Sequence, residues 1–283
     1  MSDEEELDLE PEPEREEIIP GVARALSPLV RRIRATNPSV HTGDGTNTYL
    51  VGIDEIVVID PGPDDASHRR SITGCGGDRI RWIACTSSDP EHSGGVAALK
   101  EATGAVVLAA APLDGVKIDA VLDDGETLVG TEFRLTAHHT PGTSPEHLAL
   151  LLPEERLLFS GDLIVEGSSM AVVAPTGDMK AYLGSLAAMR KLRLQRIAPA
   201  HGHIIENPAE ALDEYLAHRG EREDQILAAL GNGSSTVDAL VTSVYGELDD
   251  TRRELASGTV LAHLQKLAAD KRVRRRKDNW SAA

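Results

Sequence analysis

Between Asn47 and Ala200 short apolar or β-branched runs stop repeatedly at loops that carry the most reactive side chains of the chain, and no other feature restricts the fold as much. Asn47-Thr-Tyr-Leu-Val-Gly52 and Glu55-Ile-Val-Val-Ile-Asp60 predict neighbouring strands, the second halted by Pro61-Gly-Pro63. Further strands are predicted over 79–85, 105–110, 133–136, 147–152, 156–160 and 195–200. Gly94 to Thr103 has helical spacing, and Asp178 to Leu192 predicts an amphipathic helix capped by Asp178. Polar groups at strand ends are what a rigid scaffold can aim into a cleft. They are Thr86-Ser-Ser-Asp-Pro-Glu-His-Ser-Gly-Gly95, His139-Thr-Pro-Gly-Thr143, Ser160-Gly-Asp162 and Pro199-Ala-His-Gly202.

After Asn207-Pro208 helix formers take over, and helices are expected at 224–230, 236–244, 250–256 and 258–269 before a basic tail ending at Trp280. Short helices followed by a basic hairpin suit a winged-helix module. The expected organisation is an acidic tail over 1–20, a main domain over 21–206, a linker helix over 207–220 and the winged-helix-like module over 221–283.

The 283 residues are long enough to bury a full core, and the aromatic content is only 3%. The net charge of -17 is unevenly placed: residues 1 to 17 hold ten carboxylates against Arg15 alone, a composition that predicts a disordered, solvating segment. No run approaches the ~20 apolar residues of a membrane span, and the acidic start is unlike a secretory signal, so a cytoplasmic location is expected. Cys75 and Cys85 lack the paired spacing of a thiolate metal site.

The four polar segments, in this order, resemble the metallo-β-lactamase superfamily, whose T-H-x-H-x-D-H-x-G-G, T-P-G-H, G-D and P-x-H-G segments supply two adjacent metal sites. Asn37-Pro38, Asp44-Gly-Thr-Asn-Thr48, Asp60-Pro-Gly-Pro63, Gly177-Asp-Met179 and Tyr182-Leu-x-Ser-Leu186 are similar to its beta-lactamase-like protein 2 branch. Leu261-Ala-His-Leu-Gln-Lys-Leu267 and the basic tail are similar to the winged-helix-like domain of that branch. The resemblance implies an α/β fold: an αββα sandwich with a small winged-helix-like module that caps the site.

The chain departs from the family pattern at one of the two metal sites. Aligned on Gly94-Gly95, Ser87 and Asp89 stand where the family has the H-x-H histidines, Glu91 replaces the aspartate, and Thr143 replaces the histidine of T-P-G-H. The second site keeps ligand chemistry: Glu91, His92, Asp162 and His201 are the expected ligands of one divalent ion, zinc by family analogy. Asp162, the family's bridging carboxylate, and Asp89 are the expected catalytic carboxylates. For Asp89 two readings stay open, metal ligand or general base against a cap of the turn at Asp-Pro. Ser87 and Thr143 are poor ligands and read as relics.

Among the remaining histidines, His139 is expected to order its loop, and His138, His147 and His203 to be hydrogen-bonded neighbours of the site. His41, His68, His218 and His263 lack companion ligands nearby in sequence, and Asp60 is expected to hold loop structure. The implied function is metal-dependent hydrolysis of an ester-like, thioester or phosphodiester bond by activated water. The alternative is an inactive relic of the fold that serves as a binding module. A small-molecule substrate is expected, and homo-oligomerisation stays open. Few aromatics and ten basic against ten acidic residues over 221–283 do not support nucleic acid.

Overall fold

A computed structural model describes residues 17–283 except Ser168 and Asn232. Most of the expected acidic tail therefore lies outside the described residues. Ile18 is buried, and its carbonyl accepts a hydrogen bond from the Arg34 guanidinium.

The first sheet has seven strands in sequence order: β1 (Arg24–Ala25), β2 (Val30–Arg34), β3 (Asn47–Val51), β4 (Ile56–Ile59), β5 (Ile80–Ala84), β6 (Val106–Ala109) and β7 (Ala120–Val121). The second is ordered β12-β11-β10-β9-β8, from β8 (Thr127–Val129), β9 (Arg134–His139), β10 (Leu148–Leu152), β11 (Leu157–Gly161) and β12 (Arg196–Pro199). Helices α1 (Ala66–Gly76), α2 (Pro90–Ser93) and α3 (Val96–Thr103) follow strands of the first sheet. Helix α4 (Met179–Met189) precedes β12.

Period-two alternation explains the layering. In β3 and β4, Tyr49, Val51, Val57 and Ile59 meet Leu135, Leu150 and Phe159 of the second sheet, while Leu50 and Val58 turn to Ile72 and Leu99 of α1 and α3. Both faces of these strands are buried, which is why they read as unbroken apolar runs. The Tyr49 and Phe159 rings, with centroids 5.1 Å apart, join the sheets. The outer face of the second sheet packs Ala149, Leu158 and Ile197 on Tyr182 and Leu186 of α4. The result is the expected αββα sandwich.

Strand β2 and helix α1 went unpredicted. Val30-Arg-Arg-Ile-Arg34 hides its apolar alternation among arginines, two of which, Arg32 and Arg34, are themselves buried. Helix α1 is polar, and its start is set by Asp65, whose carboxylate accepts from the His68 N–H at 2.6 Å. The Asp178 cap of α4 is present, accepting from Lys180 N and Ala181 N.

The C-terminal part differs from expectation in helix lengths. One helix, α5 (Pro208–Leu230), runs through the expected linker and into the module. Helix α6 (Val237–Tyr245) follows. The two helices expected on either side of Gly258 are a single α7 (Asp250–Ala269), because Gly258 is a site of close approach rather than a break. A Cβ there would lie 2.4 Å from Val173 Cγ1, and the Gly258 carbonyl accepts from Ala174 N at 3.2 Å. Strand β13 (Ser235–Thr236), with β14 (Val273–Arg276) and β15 (Asn279–Ala282), closes the module as a three-stranded sheet with a basic wing.

Candidate metal centre

Strands β4, β5, β9, β11 and β12 all deliver their C-terminal ends to one edge of the sandwich, since β4 runs parallel to β5, β11 to β12, and β9 and β11 each run antiparallel to β10. There Glu91, His92, Asp162 and His201 offer ligand atoms that all lie within 4.8 Å of one another. His92 Nε2 is 3.0 Å from Asp162 Oδ2 and 3.8 Å from Glu91 Oε1. His201 Nε2 is 3.3 Å from Asp162 Oδ1 and 3.9 Å from Glu91 Oε1. The four residues named from sequence thus converge although 110 positions separate the first from the last.

Each imidazole is oriented through its other nitrogen. His92 Nδ1 donates to Asp60 Oδ2 at 3.0 Å, which turns Nε2 inward. His201 Nδ1 faces the Gly45 carbonyl at 3.3 Å. Such partners fix tautomer and ring angle at metal-binding histidines. Asp60 therefore does more than the loop-holding role expected for it. It leaves β4 at φ 50 and accepts from Thr86 N (2.8 Å) and Thr86 Oγ1 (2.7 Å) as well as from His92.

Asp162 is aimed by Gly161 and His147. Gly161 takes φ 51, and a Cβ on it would sit 2.5 Å from His147 Nε2, so the Gly of the Gly-Asp pair is a steric requirement. The Asp162 N–H donates to His147 Nε2 at 2.9 Å, and His147 Nδ1 donates to Thr140 Oγ1 at 2.8 Å. Burial holds the His147 pKa at about 4, so the ring is neutral and can accept. His147 is thus a buried partner of the site rather than a replacement ligand. The Asn37 and Asn47 motifs serve the same edge: Asn37 bonds Thr46, and Asn47 Nδ2 donates to the carbonyls of Pro199 and Gly202 on either side of His201.

The cluster is rich in acid. Burial, with Asp162 adding repulsion, raises the Glu91 pKa, and burial raises that of Asp89. Burial opposes ionisation of Asp162, but His92 and His201 outweigh it and hold its carboxyl well below the usual range. Burial likewise opposes charge on His92, and the flanking Asp162 and Asp60 carboxylates override it to raise its pKa. The buried atoms Asp162 Oδ1 and His201 Nε2 lie 3.3 Å apart with no hydrogen bond of good geometry between them. Two imidazoles and two carboxylates make a donor set whose chemistry suits a divalent cation.

Of the replaced positions, Asp89, Glu91 and Thr143 line the same space, while Ser87 is buried and is not among its lining residues. Asp89 does not cap α2 with its carboxylate, contrary to the turn-cap reading; its backbone carbonyl accepts from His92 N and Ser93 N instead. Its side chain and that of Thr143 face a cavity of about 830 Å³ above the cluster. His41, which lacked companions in sequence, lines that cavity and acts electrostatically on Glu91. His139 orders its loop, Nε2 lying 2.7 Å from the Pro145 carbonyl. Leu255 of α7 lines the cavity too, so the C-terminal module contributes to its wall. His263, which lacked companions in sequence, is fully buried 3.7 Å from Glu223. Helix α7 packs against the sandwich through Ala262, and Gly258 approaches Val173.

Comparison with known proteins agrees with this geometry. The profile described as metallo-beta-lactamase superfamily matches residues 41–201. The chain belongs to the metallo-beta-lactamase superfamily. The profile described as beta-lactamase associated winged helix domain matches residues 236–280. A beta-lactamase-like protein 2 homolog from Caenorhabditis elegans is 33% identical over 260 residues, covering 87% of this chain and 86% of that protein. An atrochrysone carboxyl ACP thioesterase from Cryptosporiopsis is 30% identical over 268 residues, covering 88% and 82%. A beta-lactamase domain protein from Burkholderia ambifaria has the same fold at TM-score 0.82 and 20% identity, over 94% of this chain and 95% of that one. Among the described residues no helix is long and apolar enough to cross a membrane.

Proposed function

We propose that this superfamily member hydrolyses an ester-like bond, a thioester foremost, using one divalent cation, zinc, held by Glu91, His92, Asp162 and His201. The carrying observation is the convergence of four donor atoms within 4.8 Å, with the buried Asp162 Oδ1 and His201 Nε2 facing each other at 3.3 Å. The similarity to an acyl carrier protein thioesterase at 30% identity supports the bond type. When bound, the ion supplies Lewis acidity and lowers the pKa of water toward about 7.

The protein's own groups do the rest. Asp60 and the Gly45 carbonyl hold the two imidazoles in the tautomer that presents Nε2. His147 fixes the backbone from which Asp162 projects. Asp89 lines the cavity and makes no side-chain cap bond, which supports its reading as the group that accepts a proton from water. Loss of the first-site histidines to Ser87, Asp89 and Thr143 supports one ion rather than two.

The test is metal analysis by plasma emission joined to a hydrolysis panel of esters, thioesters, lactones and phosphodiesters. One ion per chain and metal-dependent hydrolysis are expected, and Asp89→Asn is expected to lower the rate about 10²- to 10⁴-fold while metal stays bound. Metal without turnover on every class overturns the enzyme reading. The second reading, a relic stabilised by its own charges, is favoured by the 3.0 Å contact between His92 and Asp162 and predicts no ion after growth with added metal.

A further inference from the structure

The cavity over the cluster is lopsided in charge and in polarity. Asp89, Glu91, Glu146, Asp162 and Glu166 face it, and no lysine or arginine is found among the described residues that line it. Asp44 also reaches it but is paired with Arg34 at 3.4 Å. One divalent cation offsets the two carboxylates that would hold it, Glu91 and Asp162. Asp89, Glu146 and Glu166 are the other acids of the lining.

Asp89 and Glu146 line the cavity together with Ser88. Burial works against ionisation of Glu146, yet the Ser88 hydroxyl, donating at 2.5 Å, helps hold its pKa below the usual value. Away from them the lining turns apolar, with Val165, Met170, Val173, Ala174 and Leu255. A leaving group that carries phosphates would bring more negative charge into a partly enclosed space where like charges repel strongly.

We infer that the site, read as the hydrolase proposed above, takes thioesters or esters with an apolar acyl part and an uncharged or cationic leaving group, and rejects anionic leaving groups. Water supplies the oxygen that bonds to the acyl carbon, the carbon–sulfur bond breaks, the departing sulfur takes one of the water's protons to leave as the thiol, and the other proton goes with the carboxylic acid product. No co-reactant is needed.

The experiment compares three butyryl thioesters that differ only in the thiol: thiocholine, N-acetylcysteamine and coenzyme A. Metal-loaded protein is assayed at about pH 8. Expected kcat/KM values for the cationic and neutral esters exceed that for the coenzyme A ester at least about tenfold, and the gap narrows at about 0.5 M salt. Glu146→Gln, which keeps an acceptor for Ser88, should leave the N-acetylcysteamine ester within about twofold and cut the thiocholine to coenzyme A ratio at least about threefold. Fastest turnover of the coenzyme A ester, or a ratio unmoved by Glu146→Gln, overturns this inference and leaves the hydrolase intact. Hydrolysis of none of the three overturns the hydrolase reading and this inference with it.

Discussion

The Nδ1–H of His92 is donated to Asp60 Oδ2 across 3.0 Å, and both side chains are almost wholly buried. This contact spans 32 residues of sequence and links the end of β4 to helix α2, so one carboxylate joins the strand end to the inner face of the cluster.

Replacing Asp60 therefore tests orientation separately from ligation. Asn is the informative change, because it tolerates the left-handed φ of 50 found here and so spares the backbone. Asp60→Asn should weaken zinc binding about 10- to 100-fold, read by competition with a chromophoric chelator. Unchanged affinity would mean that His92 needs no carboxylate to hold its tautomer.

His201→Ala should remove metal retention altogether, since it deletes one of only two imidazoles in the cluster. In the wild type a chelator should lower the melting temperature, because an ion that binds only the folded chain stabilises it by mass action. In the variant chelator should do nothing. A stoichiometry near two ions in the wild type would show that Asp89 and a neighbouring histidine rebuild the first site.

Acid sensitivity is expected from His68. Burial, only partly offset by Asp65, depresses its pKa to about 4, while its Nε2 lies 2.8 Å from Thr48 Oγ1. A histidine whose folded pKa lies below the unfolded value near 6.5 is stabilising as the neutral ring above that value, and the contribution is lost as pH falls from about 6.5 to about 4. The loss is of order 3 kcal/mol when complete. Urea midpoints measured across that window should fall for the wild type and fall less for His68→Gln.

At Gly258 packing and helix propensity predict opposite signs. Ala in a helix interior is favoured over Gly by about 1 kcal/mol. Here its Cβ would lie 2.4 Å from Val173 Cγ1 and 3.4 Å from Val173 Cα, so α7 or the cavity loop must shift. Gly258→Ala should lower the melting temperature and increase cleavage of the C-terminal module in limited proteolysis, at a cost of about 1–3 kcal/mol. A more stable variant would show that the close approach carries no weight.

Much of the central scaffold was legible from residue pattern because its strands are buried on both faces and bounded by Pro, Gly and charged loops. Strand β2 was not, since Arg32 and Arg34 are buried by tertiary contacts that composition does not reveal. Helix α7 was read as two because an isolated Gly looks like a break until its neighbour, Val173, is known.

The candidate ligands were readable for a different reason. Glu91, His92, Asp162 and His201 each sit within a short motif at the end of an apolar run, so local order in the chain named them. Their partners carried no such signal: Asp60 for His92, Gly45 for His201 and His147 for Asp162 are joined only when distant strand ends meet at one edge. The same holds for Leu255, which reaches the cavity because α7 docks across the loop around Val173. Sequence alone determined which donor types are present, because ligand chemistry belongs to individual side chains. Tertiary structure decided their protonation, tautomer and surrounding charge, because these depend on burial and on neighbours that the chain brings from far away.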